Sequence, residues 1–195
     1  MAPDPTGVHG NVIKVLWNSK TGVMTPHGAG PRTEIMTKYG MAPNTLHTIS
    51  FDFMNMTENS NTTFCQVLDN PKSLTVDRLK LGMGPKGLYT LVLRQSATDQ
   101  SVAKMYTLKK AGPVAADHGK WVRWRIDYMR TSSNMGYVDV YKNGTLVQSV
   151  HGIPTMYSEK LLRKPEAQAK FGQYKHASNA TNVEYYTNII IVERS

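Results

Sequence analysis

The chain has 195 residues, 40% hydrophobic and 19% charged, which fits one domain large enough to bury a core without staples. A formal net charge of +9 suits a polyanionic partner such as an acidic polysaccharide, nucleic acid or an anionic surface. Dispersed basic residues, with no run longer than the pair Lys109-Lys110, argue against a nucleic-acid arm, and a single cysteine, Cys65, excludes an intrachain disulfide.

The opening "MAPDPTGVHGN" has no positively charged region followed by an apolar stretch, so no secretory signal is expected there. Period-two segments then follow one another along the chain. They are "NVIKVLWN" (11–18), "RTEIMTKY" (32–39), "LHTISFDFMNM" (46–56), "TTFCQVLD" (62–69), "LKLGMG" (79–84) and "LYTLVLRQ" (88–95). After these come "KMYTLKK" (104–110), "WVRWRIDYMR" (121–130), "GYVDVYKNGTLVQSV" (136–150), "AKFGQYKH" (169–176) and "NVEYYTNIIIVER" (182–194). Turn signals separate them, and Asn143-Gly144 between "VDVY" and "LVQSV" predicts a tight hairpin. The stretch "SEKLLRKPEAQAK" (158–170) reads as a long loop across a sheet edge, with at most one helical turn before Pro165. Cys65 reads as a buried small hydrophobe. The longest apolar run, "IIIV" (189–192), is too short to span a membrane. Short strands, regular turns and no amphipathic helix predict an all-β sandwich of two antiparallel sheets in a single domain, 1–195.

Three strands carry polar residues that a plain sandwich does not need. Arg32 and Glu34 are two apart and share a face, so the carboxylate can position the guanidinium while leaving donors free for a substrate carboxylate. Gln66 shares a face with Leu68. In "KFGQYKH", Lys170, Gly172, Tyr174 and His176 align on one face, and the glycine leaves room for a ligand to approach the backbone. Each has a blander reading: a surface ion pair, a glutamine satisfying a backbone group, a packed tyrosine. No HxH or HExxH metal site, G-x-S-x-G elbow or phosphate loop is present; "GMGPKG" lacks a following helix and reads as a turn.

The order "RTEI", "QVL", "GKWVRWRIDY", "GYVDVYKNGTLV", "KFGQY" resembles the jelly-roll polysaccharide lyases, above all the heparin-lyase-like and glucuronan-lyase-like group and the alginate lyases of the same fold. The resemblance runs from "DPTGVHGNVIKV" to "NIIIVE" and implies a concanavalin-like β-jelly roll with a uronate chain lying in a groove on a concave sheet. It further implies that Tyr174 moves protons, and that Arg32 and Gln66 hold or neutralise the uronate carboxylate, with Lys170, Glu34 and Gly172 lining the groove. Removing the C5 proton builds charge on that carboxylate, so fixed donors must meet it, and a base and an acid must exchange protons with carbon and leaving oxygen. A tyrosine serves as both where cations such as Lys170 or Arg32 lower its pKa. The alginate lyases carry Gln-x-His, whereas this chain has Leu68 in place of the histidine. His47, from another strand, and His176 are the imidazoles left to replace it. No cofactor is expected. Several sandwiches of this kind hold a calcium ion, yet hard cations need clustered oxygens, and "FDF" offers only Asp52.

Two function classes remain. One is a lyase-like module that binds, and in its active form cleaves, an acidic polysaccharide outside the cell. The other is a non-catalytic jelly roll that decorates a virion or joins capsid or other assembly proteins, a role that suits the 11 methionines as adaptable contact surfaces. A membrane partner is not expected, and a nucleic-acid partner would require a steep salt dependence on duplex DNA.

Overall fold

A computed structural model describes residues 1–17, 32–37, 40–57, 62–71, 76–99, 101–175 and 182–194. The strands are β1 (Ala2–Pro3), β2 (Asn11–Trp17), β3 (Arg32–Met36), β4 (Thr45–Asn55), β5 (Thr62–Pro71), β6 (Val76–Met83), β7 (Tyr89–Arg94) and β8 (Ala103–Thr107). The second half adds β9 (Val122–Arg130), β10 (Tyr137–Lys142), β11 (Thr145–His151), β12 (Leu162–Lys175) and β13 (Asn182–Arg194). A larger sheet has the order β1-β2-β13-β4-β9-β10-β11 and a smaller one the order β3-β12-β5-β6-β7-β8. Every pairing is antiparallel, so the two-sheet sandwich expected from the alternation is what the chain forms. Among the described residues the only helices are short 3-10 turns, and none is long and apolar enough to cross a membrane.

Alternation places the core. In β9 the inward set is Val122, Trp124, Ile126 and Tyr128, all buried; in β5 and β12 it includes Cys65, Val67, Ala169 and Phe171. Aromatic rings bridge the sheets, with Phe53 stacked on Phe64 at 4.4 Å and Phe51 edge-on to Phe171 at 5.1 Å. Each such pair adds about 0.5–1.5 kcal/mol beyond its buried area. Cys65 is fully buried, as its strand context predicts, and burial pushes its thiol pKa far above the ordinary value.

The Asn143-Gly144 hairpin forms with both residues at positive φ, 49° and 81°, the backbone that a two-residue turn with native twist requires. The stretch read as an edge loop differs. After a 3-10 turn at Glu159–Leu161 the chain enters β12 at Leu162, well before the expected start. Pro165 is tolerated because the β12–β5 ladder is interrupted between Lys164 and Gln168, where no amide hydrogen is needed.

The interior also holds charge. Asp69 of β5, Arg78 of β6 and Arg130 of β9 have fully buried side chains, and Arg78 further donates to the carbonyls of Ser96, Pro154 and Thr155. On the outer side of the larger sheet, the N-terminal turn folds over Val12, Met54 and Tyr185, and Asp4 anchors it.

Candidate active site on the outer face of the smaller sheet

Cross-strand register turns the scattered polar residues of the sequence into two rows across the smaller sheet. One row runs Met36, Lys170, Gln66, Lys80, Val92, Met105, one residue from each strand from β3 to β8. The other runs Arg32, Tyr174, Thr63, Gly82, Thr90, Thr107. Their chain neighbours Cys65, Leu79, Leu81, Leu91, Leu93 and Phe171 are buried in the core, so Lys170, Gln66, Lys80, Val92 and Met105 of the first row and Thr63 and Thr90 of the second face away from it. The extra residue Phe64, at the register shift between Thr63 and Cys65, points inward and lets the outward pattern resume.

Between the two rows, on the edge strand β3, sits Glu34, paired in register with Gly172. Its Oε1 accepts from Gln66 Nε2 at 2.5 Å and its Oε2 lies 3.4 Å from Lys170 Nζ. Three strands thus converge: β3 supplies the carboxylate, β5 the amide and β12 the ammonium. The side chains of Glu34 and Lys170 are 8% and 17% exposed, so the cluster is shielded enough for charge to act strongly and open enough to meet a ligand. One hydrogen of the Gln66 amide is committed to Glu34, and the second remains a donor for an incoming oxygen.

The expected site residues fall as follows. Arg32 and Tyr174 are direct backbone partners across β3 and β12, two residues beyond the Glu34–Gly172 pair, with Thr33 and Gln173 paired between them. His176 lies outside the described residues. Gly172 has a structural reason of its own: its φ is +127°, and an added Cβ would stand 2.8 Å from the Cα of Glu34. Close approach of β3 to β12 therefore requires glycine here. Leu68 follows Gln66 on the same outward face, opposite Gln168. His47 does not stand in for the imidazole. It belongs to β4 of the other sheet, is buried, and its Nε2 lies 3.0 Å from the carbonyl of Ala42; burial pushes its pKa below the ordinary value.

Sequence reasoning did not single out Lys80, Thr63 or Thr90. These line a hollow of about 190 Å³ beside Gln66, together with Gly82, Val92 and Met105. Lys80 is directly opposite Gln66, a relation that exists only once β5 and β6 are paired. Among the described residues no cluster of His, Cys, Asp or Glu side chains is placed to hold a metal ion. Asp52, the oxygen ligand considered in the sequence, instead accepts from Arg123 and Asn188.

Solved structures share this architecture. An endo-β-1,4-glucuronan lyase from the fungus Trichoderma reesei matches with a TM-score of 0.69 at 13% identity, over 92% of this chain and 80% of that one. The family 7 alginate lyase A1-II′ matches with 0.67 at 15% identity, over 98% and 82%. The alginate lyase vAL-1 from a Chlorella virus gives 0.66 at 12% identity, over 94% and 85%. At such identities these likenesses show the fold. Among curated protein sequences none matches. The profile of the polysaccharide lyase family, however, matches residues 10–190, from the start of β2 into β13. The chain belongs to the polysaccharide lyase family.

Proposed function

We propose that this protein binds a uronate-containing polysaccharide across the outer face of the smaller sheet and cleaves it by β-elimination. The observation that carries this reading is the convergence of Glu34, Gln66 and Lys170 from three strands, with the Arg32–Tyr174 backbone pair two register positions from Glu34–Gly172. Supporting it are the family, the net charge of +9, and the substrates after which the structural relatives are named, glucuronan and alginate, one alginate lyase having been solved in complex with its substrate.

In the proposed reaction the uronate carboxylate lies against the Gln66 amide, Arg32 and Lys170, which meet the negative charge that builds as the C5–H bond breaks. The electron pair forms the C4–C5 double bond and expels the C4 glycosidic oxygen, which takes up a proton. Tyr174 serves both transfers: its phenolate accepts the C5 proton and the phenol returns one to the leaving oxygen. Glu34 positions Gln66 and Lys170. A substrate of this kind is an extracellular or cell-surface polymer, so the protein acts outside a cell or from the surface of a virion.

The test is the ultraviolet absorbance of the unsaturated uronate product, followed for wild type and Tyr174→Phe on glucuronan, alginate, heparan-type chains and bacterial exopolysaccharides. Wild type produces the absorbing product on at least one polymer, and Tyr174→Phe loses at least about 100-fold in rate. Full activity in the variant overturns the assignment of Tyr174. A flat trace from folded wild type that still binds an acidic polymer reduces the site to a binding groove, the reading that Leu68 in place of a histidine favours. A flat trace without binding returns the jelly roll to an assembly role with capsid or other partners.

A further inference from the structure

We infer that Tyr186, on β13 of the larger sheet, is a positioning residue for the candidate site: its hydroxyl holds the bulges of β12 and β5 that set Tyr174 apart from Lys170 and Gln66. The inference rests on the proposed function and gives that site a part supplied by the opposite sheet. Lys170 and Gln66 are register partners, Phe171 and Cys65 follow, and the next pair is Tyr174 with Thr63. Between the last two pairs β12 has two residues, Gly172 and Gln173, where β5 has one, Phe64. β5 also bulges at Phe64 against β6, because Thr63 and Cys65 pair with the adjacent residues Gly82 and Leu81. The residues proposed to hold the uronate therefore lie on one side of this irregularity, and the one proposed to move protons on the other.

A bulge leaves backbone groups outside the ladder, and buried ones must be met elsewhere. Neither Gly172 nor Phe64 has a register partner in the β12–β5 ladder. Tyr186 serves both. Its buried hydroxyl accepts from the Gly172 amide and lies 3.1 Å from the Phe64 carbonyl, to which it donates. Glu184 Oε2, 2.7 Å away, is a second acceptor and fixes the phenol from its own strand. Burial and that carboxylate push the Tyr186 pKa well above the ordinary value, so the phenol keeps its hydrogen. The ring packs among Phe51, Phe53 and Phe171, a role that phenylalanine would fill equally well. What tyrosine adds is the hydroxyl, and the hydroxyl is placed at the two bulges. Gly172 is also the register partner of Glu34, so this point of support lies directly beneath the site.

The experiment combines steady-state kinetics of unsaturated-product formation by the full chain, on a polymer that the parent cleaves, with hydrogen exchange at the Gly172 amide. Tyr186→Phe keeps the ring and removes the hydroxyl. It lowers kcat about 10–100-fold, since misplacing a reacting group by about 1 Å costs on that order, while KM, to which Lys170 and Gln66 contribute, stays within about twofold. In the Tyr174→Phe background the same substitution lowers the residual rate less than about twofold, because the group it positions is already gone. Exchange at Gly172 speeds up at least about tenfold, while Val67 and Ala169, paired before the bulge, keep their protection. An unchanged kcat, a rise in KM alone, or equal losses in both backgrounds overturns the inference and leaves the proposed function standing. Should the variant fail to fold, exchange in the parent decides: a Gly172 amide as protected as its ladder neighbours supports the inference, and one that exchanges like an open loop overturns it. A parent that forms no product on any polymer overturns the proposed reaction, and this inference with it.

Discussion

Arg130 reaches across the sandwich from β9 and donates to Asp69 of β5 at 2.8 Å, with both side chains wholly removed from water. Asp69 is also the acceptor for the Tyr157 amide at 2.8 Å and the nearest carboxylate to Arg78, 3.8 Å away. Removing it leaves two buried guanidiniums facing each other with no counter-charge from Asp69. Asp69→Ala is therefore expected to cost about 3–5 kcal/mol, a large part of a domain's stability. The check is a urea titration in which the midpoint falls while the slope is kept. Asp69→Asn, which retains an acceptor for Tyr157, loses less.

This pair was legible in part. The alternation that buries Val122, Trp124, Ile126 and Tyr128 continues to Arg130, and the one that buries Cys65 and Val67 continues to Asp69. A charge at an inward position demands a partner, and two such positions of opposite sign name each other. Which strands face each other is not written in either segment. The same distinction divides the candidate site. Glu34, Gln66 and Lys170 were readable because each stands out on its own strand. Lys80 was not, since its significance is its register with Gln66. The early start of β12 was hidden by Pro165, which argues against a strand unless the interruption in the ladder is known. The Asn143-Gly144 hairpin needed no such knowledge, because its turn chemistry is entirely local.

Gly172→Ala tests whether the close approach of β3 and β12 builds the site. The residue sits at φ +127°, and a Cβ would enter the backbone of β3 at Glu34. The substitution is expected to destabilise by about 1–3 kcal/mol from backbone strain and to push β3 away from β12. Amide hydrogen exchange reports both effects: protection falls across Arg32–Met36 first, while β9 and β10 keep theirs. Uniform loss across both sheets would instead place the effect in the core.

The N-terminal turn carries its own pH dependence. Burial pushes the Asp4 carboxyl up, but hydrogen bonds from the amides of Thr6 and His9, the Thr6 hydroxyl and the Trp121 indole outweigh it and hold its pKa at about 2, against 3.8 unperturbed. A carboxyl lowered on folding stabilises the turn fully above its unfolded pKa, and that contribution is lost as the pH falls through the folded one. The indole N–H resonance of Trp121, 3.2 Å from the carboxylate, is expected to stay constant down to about pH 4 and to move with a midpoint near 2. Asp4→Asn removes the transition. A midpoint near 3.8 in the native chain would show that the carboxylate is not held by these donors.

Leu68→His asks whether the imidazole missing from the Gln-x-His pattern limits the proposed reaction. Leu68 is two residues beyond Gln66, and the β12 ladder pairs Gln66 with Lys170 and Leu68 with Gln168 without interruption, so both side chains leave the same face. An imidazole placed there lies next to Gln66, where the uronate is proposed to bind, and is neutral over most of the range above its ordinary pKa. General-base assistance contributes about 10²–10⁴-fold where geometry permits, so the substitution is expected to raise the rate of unsaturated product formation at least tenfold, with a rise in rate as pH passes about 6.5. Leu68 lies outside the main core but is only 9% exposed, so the substitution also costs packing and the rates are compared at equal concentrations of folded protein. An unchanged rate, from a variant that binds the same polymer with the same affinity, would show that Tyr174 alone already meets the demand for a base. The histidine position would then have been given up without loss because the phenol had taken over both proton transfers.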